Sequence, residues 1–126
     1  MRKKSIYKWK NKAPTAQMLG RFQPWHKGHQ KLFEKILGKT GQVYIMVKNV
    51  YGINDNPFTF KKVKININFV LKKFANRYKV VLAPNITNIC YGRTVGYKIE
   101  KISLDKKIYK ISATKIRSDL RKKGKL

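Results

Sequence analysis

The sequence predicts a single α/β domain in which a parallel sheet is flanked by helices. Three observations carry that expectation. A chain of 126 residues can bury one sheet with its covering helices but not two independent cores. Its hydrophobic fraction of 42% fits a globular fold rather than disorder. Its apolar residues fall in short strand-like blocks that alternate with helix-like ones. That alternation implies parallel strands with right-handed crossovers and a ligand at the strands' carboxyl ends.

The elements follow in order. Residues 1–13 carry many lysines and scattered apolar side chains, the pattern of a basic, loose or partly ordered arm; residues 14–126 form the domain. Residues 16–19 are a short run ending at Gly20, a strand entering a tight turn. Leu32, Phe33, Ile36 and Leu37 share one face of a helix over 27–37, which Gly38 is expected to close. Residues 42–48 are nearly continuous in apolar character, as a central parallel strand requires.

Asn56-Pro57 marks a helix start. The next segment alternates like a strand at Val63, Ile65, Ile67 and Phe69. It also repeats at helical spacing through Phe60, Val63, Ile67 and Phe74. The longer helical pattern predicts a helix over 58–76. A third strand over 79–83 stops at Pro84, a fourth is expected over 86–91, and a short one over 108–111. A terminal helix over 113–122 ends before Gly124.

Charge bounds the partners more than the fold. Against 31 Lys and Arg stand 5 Asp and Glu, a formal net charge of +26, which attracts nucleotides, nucleic acids and acidic surfaces. The lysines are spread along the chain among many Ile and Asn, as an A/T-rich coding sequence also yields, so nucleic acid ranks as a secondary partner. The single cysteine, Cys90, excludes an internal disulfide and reads as a small buried apolar residue beside Ile89 and Tyr91. The longest apolar runs, such as 43–47, are too short to cross a bilayer, and no apolar stretch follows the basic N-terminus as a secretory signal requires. A cytoplasmic location without a membrane partner is expected, and a homo-oligomer is compatible with the sequence.

Two segments carry chemistry. Residues 20–29 read Gly-Arg-Phe-Gln-Pro-Trp-His-Lys-Gly-His. Gly20 and Gly28 allow backbone to approach a bulky ligand, and the helix after the turn aims its amides and positive dipole end at the same place. His26 and His29 stand three apart in its first turn, able to flank one phosphate and to stabilise charge built up during in-line displacement. Two other readings stay open: metal ligation, which normally needs three or four ligands, and polar caps of the helix. Trp25 is expected to pack against the fold rather than stack on a base.

Residues 111–117 read Ile-Ser-Ala-Thr-Lys-Ile-Arg. Ser112 and Thr114 at a helix mouth, with free amides, make an anion nest, and Arg117 one turn on can grip phosphate oxygens. Simple capping by Ser112 with a surface arginine is the alternative.

With these two segments the chain resembles the HxGH nucleotidyltransferase superfamily, the cytidylyltransferase-like fold. His26-Lys-Gly-His29 matches its HxGH motif, and residues 111–117 match its ISxTxxR-type motif. Residues 20–24 resemble its nicotinamide-nucleotide adenylyltransferase branch, as does the Asn-Pro-Phe-Thr segment at 56–59. Gln23 stands where many cytidylyltransferases carry Asp. The resemblance implies a Rossmann-like fold and transfer of a nucleoside monophosphate from ATP or CTP to a phosphorylated small molecule, with pyrophosphate leaving. Adenylyl transfer is favoured. Cytidylyl transfer to a polyol or sugar phosphate is the alternative within the class, and a catalytically silent nucleotide binder or a basic nucleic-acid-binding protein the alternative outside it. By position, His29 would stabilise the transition state at the α-phosphate and His26 would contact the triphosphate. Ser112, Thr114 and Arg117 would hold the β- and γ-phosphates. Gly20 and Phe22 would offer backbone, and Gly28 would leave room for the nucleoside. Mg²⁺ would arrive with the nucleotide, with no metal site of the protein's own.

Overall fold

Strand β1 (Ala16–Gly20), helix α1 (Lys27–Thr40), strand β2 (Val43–Lys48), helix α2 (Phe60–Val70), strand β3 (Tyr78–Ala83) and helix α3 (Ala113–Lys122) follow one another along the chain. This is a computed structural model, and it describes residues 7–93, 96, 98–104, 107 and 112–126. The three strands are parallel in the order β1-β2-β3, with Met18, Ile45 and Val80 in one row across the sheet. Helices provide both crossovers, the Rossmann-like arrangement expected of alternating strand and helix periodicities.

The centre of the sheet shows why β2 is the most apolar strand. Its Val43, Ile45 and Val47 are buried against the helices while Tyr44 and Met46 on the other face are half-buried. Phe33 and Ile36 of α1, Val63 and Ile67 of α2, and Leu71 join them with Met18 in one core. Phe33 meets Phe74 and Tyr78 edge-on. Helix α1 runs through Gly38 to Thr40, and Gly41 ends it in the left-handed region at φ 86°, its N–H bonded to Leu37 O. The sequence placed that stop three residues early because Gly38 is also a glycine, but only Gly41 adopts a positive φ.

Helix α2 differs in its start. Thr59, not Asn56, is its N-cap, the hydroxyl accepting from Lys62 N; Asn56-Pro57 belongs to the loop before it. After Val70 the chain tightens into a 3-10 turn at Lys72–Phe74, so the helical periodicity read over 58–76 covers two elements. The fourth strand expected over 86–91 does not form. Those residues have no regular structure, and Ile89, Cys90 and Tyr91 are exposed. Cys90 is therefore a surface thiol and not a buried apolar residue. The strand expected over 108–111 lies outside the described residues.

From Tyr7 onward the basic arm docks on the sheet. Gln42, 0% exposed, uses its whole amide to hold it: Oε1 accepts from Tyr7 Oη and Lys10 N, and Nε2 donates to Lys10 O and Thr15 Oγ1. Trp9 lies over Tyr44, and Arg77 stacks 4.2 Å above the Tyr7 ring. Residues 98–104 lie along α1, where Lys39 pairs with Glu100 at 2.8 Å and Lys35 Nζ donates to Ser103 O.

Candidate functional site

The loop from β1 into α1 is set by packing. Gly20 ends β1, and a Cβ there would come within 2.8 Å of the Phe22 ring. The room that sequence reasoning reserved for a ligand at Gly20 is thus filled by the chain's own aromatic. Phe22 holds a left-handed φ of 52°, a conformation costly for a side chain this large. Its ring is buried 5.1 Å from Trp25 and edge-on to His29 at 4.9 Å. Trp25 packs into the core as expected, 6.3 Å from Phe33, its Nε1 donating to Gln30.

His26 is the N-cap of α1. Its Nδ1 accepts from Gly28 N at 3.0 Å, and His29 Nδ1 accepts from His26 N at 3.0 Å, a reciprocal capping box made by two imidazoles. The rings stack with centroids 3.9 Å apart. Capping and ligand contact were offered by the sequence as competing readings, but an imidazole has two nitrogens. Each Nδ1 is committed as an acceptor, which in the neutral ring leaves the proton on Nε2. Among the described residues neither Nε2 has a hydrogen-bond partner. Burial lowers the His26 pKa. Burial, and then the charge of His26, take His29 down to about 3. Both rings are neutral near pH 7, and each keeps an N–H donor free at the mouth of a helix whose dipole favours anions.

Helix α3 brings the second group. Ser112 is its N-cap, the hydroxyl accepting from Lys115 N at 3.2 Å; Ser112 and Thr114 are exposed. Arg117 is not the surface arginine of the simple capping alternative. It is 3% exposed, and its Nη1 donates to Gln23 O at 2.5 Å, its Nη2 to Thr114 Oγ1 at 3.4 Å and its Nε to Asp55 Oδ2 at 2.9 Å. The same carboxylate accepts from Arg121 Nη2. Both arginines, through hydrogen bonds first, hold the Asp55 pKa at about 2. Gln23 is the junction. Its side-chain amide pairs with both backbone groups of Phe58 at 2.8 Å, while its carbonyl receives Arg117. Residues near positions 23, 58 and 117 therefore meet, so the first motif, the loop before α2 and the last helix converge.

Sequence reasoning missed Asp55, Arg121 and the side-chain role of Gln23. One signal was available: with 5 acidic residues among 31 basic ones, each carboxylate has a choice of cationic partners. The loop that carries Asp55 is held by Gly52 N to Asn56 O and by Asn56 Nδ2 to Ile53 O. Asn56 Oδ1 is a buried polar atom with no partner among the described residues. Among those residues no group of three or more His, Cys, Asp or Glu could hold a metal ion, and no helix is long and apolar enough to cross a membrane. A groove of about 420 Å³ lies elsewhere, at the β3 edge among Trp9, Lys64, Asn68, Tyr78 and Lys79.

No protein-family model matches the chain, and no curated protein matches it. Among solved structures 13 chains match. One is a bifunctional NMN adenylyltransferase/ADP ribose pyrophosphatase from Francisella tularensis, crystallised with AMP and a manganese ion. It is 28% identical with a TM-score of 0.46, over 57% of this chain and 22% of that one. The present chain thus spans about a fifth of that protein's length.

Proposed function

We propose that the chain is a nucleotidyltransferase of the HxGH type, which moves a nucleoside monophosphate from a nucleoside triphosphate to a phosphorylated small molecule and releases pyrophosphate. One observation carries the reading. Two neutral imidazoles, stacked 3.9 Å apart, have Nε2 donors without a partner among the described residues at the start of α1, while the buried Arg117 of the distant α3 binds the carbonyl of Gln23 in the same loop. Hydrogen-bond donors and positive charge converge where the strands end, and the carboxylate seen among them is that of Asp55, paired with Arg117.

In this reading a phosphate oxygen of the acceptor attacks the α-phosphorus, and the P–O bond to pyrophosphate breaks. His29 donates from Nε2 to the oxygens that gain charge, fixed beforehand by its Nδ1 bond and by Phe22 and Trp25. Such a preset donor contributes about 10²-fold or more in rate. His26 contacts the triphosphate, and Ser112, Thr114 and Arg117 take the β- and γ-phosphates. Gly20 and Phe22 shape the turn beneath the nucleotide, and Gly28 leaves space beside it. A magnesium ion brought with the nucleotide would screen its phosphates. The donor set consists of imidazoles, hydroxyls and guanidinium, which suits phosphate oxygens rather than the cation itself. Residues 20–24 and the Asn-Pro-Phe-Thr segment at 56–59 favour ATP and adenylyl transfer.

The test is a pyrophosphate-release screen of ATP and CTP against phosphorylated acceptors, nicotinamide mononucleotide and polyol and sugar phosphates included. Release that needs both a nucleotide and an acceptor supports the proposal, and ATP over CTP supports the adenylyl assignment. Preference for CTP with a polyol or sugar phosphate moves the chain to the cytidylyl branch. No release with any pair, together with salt-sensitive binding of nucleic acid, overturns it.

A further inference from the structure

The ion-pair cluster on α3 is unexplained by the proposed chemistry. Arg117 and Arg121 are one helical turn apart, and because helical side chains lean toward the preceding turn, both guanidiniums reach the same carboxylate. Asp55 accepts from Arg117 Nε through Oδ2 and from Arg121 Nη2 through Oδ1. Two like charges at this spacing repel unless an anion lies between them. One carboxylate supplies a single negative charge for two positive ones, so the cluster retains net positive charge.

The three partners are not equally fixed. Arg117 is buried and tied to Gln23 O and Thr114. The side chains of Asp55 and Arg121 are 40% and 49% exposed. The Asp55 loop is braced by its own hydrogen bonds through Gly52 and Asn56, so the carboxylate can turn out to water by rotation of its side chain while the loop stays in place. A phosphate group offers several oxygens to the same guanidinium N–H groups, with more charge than a carboxylate.

We infer that Arg117 and Arg121 form one anion site in which the Asp55 carboxylate stands in for a phosphate of the substrate, and that a bound nucleotide's phosphate displaces it. Arg121 is thereby a further phosphate-binding residue. Asp55 is a placeholder that keeps the Arg117 Nε–H and the Arg121 guanidinium aligned in the empty protein and weakens binding of competing monovalent anions. The inference rests on the nucleotidyltransferase reading and adds to it a residue and an exchange step.

Calorimetric titration of inorganic tripolyphosphate at low salt tests it without turnover. Asp55→Asn keeps an acceptor for Arg117 but removes the competing charge, and should bind tripolyphosphate about fivefold tighter, the scale of a partly exposed ion pair. Arg121→Ala, a change at a half-exposed position, should bind about fivefold weaker. Lys61→Ala, on the exposed face of α2, controls for the general positive field and should bind as the parent does. Equal affinity in the parent, Asp55→Asn and Arg121→Ala overturns the proposal while leaving the nucleotide reading standing. An equal loss in Lys61→Ala and Arg121→Ala overturns it too. If Asp55→Asn does not fold, Arg121→Ala decides alone. If no chain binds tripolyphosphate, the nucleotide reading falls as well.

Discussion

The two walls of the candidate site are held in opposite ways. The imidazole wall is uncharged and fixed by packing: His29 sits among Phe22, Trp25 and His26, and every partner lies within eight residues of it in sequence. The guanidinium wall is ionic and fixed over long range, Arg117 reaching residues 94 and 62 positions away. A wall made by burial keeps its donors neutral and insensitive to salt. A wall made by ion pairing keeps its charge but must exchange partners to bind anything.

The sharpest break in this comparison comes from His29→Asn. Asparagine Oδ1 occupies nearly the position of imidazole Nδ1 and can still cap His26 N, but it brings no donor to the Nε2 position. Pyrophosphate release should fall about 10²-fold, while the chain still folds with a melting temperature lowered by the lost packing against Phe22 and Trp25. If turnover survives in a folded His29→Asn chain, the free Nε2 is not the reason for the arrangement. Gln23→Ala should act on stability instead. It removes both amide bonds to the half-buried Phe58 peptide, a loss of about 1 kcal/mol, and chemical denaturation would measure it.

The pH dependence separates the walls again. His29 has a folded pKa of about 3 against 6.5 for the free side chain, so between these values the unfolded chain binds the extra proton. Stability is full above about pH 6.5 and is lost as pH falls toward 3. Asp55, at about 2 against 3.8, contributes above about pH 3.8 and is lost only below that. Urea midpoints measured from pH 7 to 3 should therefore decline first through the histidines. His29→Asn should flatten the decline between pH 6.5 and 4, whereas Asp55→Asn should leave that interval unchanged.

What was legible in the sequence follows the same division. Local patterns gave three strands, the N-terminus of α1 and the limits of α3, because apolar periodicity and the Ser112 cap act over a few residues. The histidines were found for the same reason. Residues 86–91 misled because they are a short run with apolar residues between Pro84 and Gly92, yet strand propensity does not suffice without a neighbouring strand to pair with. The scarcity of carboxylates made it legible that Asp55 would be paired, but not with which cation, since nothing near position 55 refers to position 117. Burial of Arg117 was hidden equally, because its partners are a backbone carbonyl and a distant carboxylate.

Ser112 supports the smallest effect and the finest discrimination. It caps α3 through Lys115 N, and the first turn of that helix carries no acidic residue. Ser112→Ala should lose about 1 kcal/mol and fray the helix, seen as faster amide exchange over its first turn. Ser112→Asp caps as well as serine and adds a negative charge where the helix dipole favours one, so it should hold or raise stability by a few tenths of a kcal/mol. If a phosphate binds at this helix mouth, the same substitution sets a carboxylate against it, and tripolyphosphate affinity should drop although the fold is firmer. A cap with no ligand role would give the stability gain alone, with affinity unchanged. Stability and affinity moving in opposite directions in one variant is the signature of an anion site at Ser112, and parallel movement or no change in affinity removes Ser112 from it.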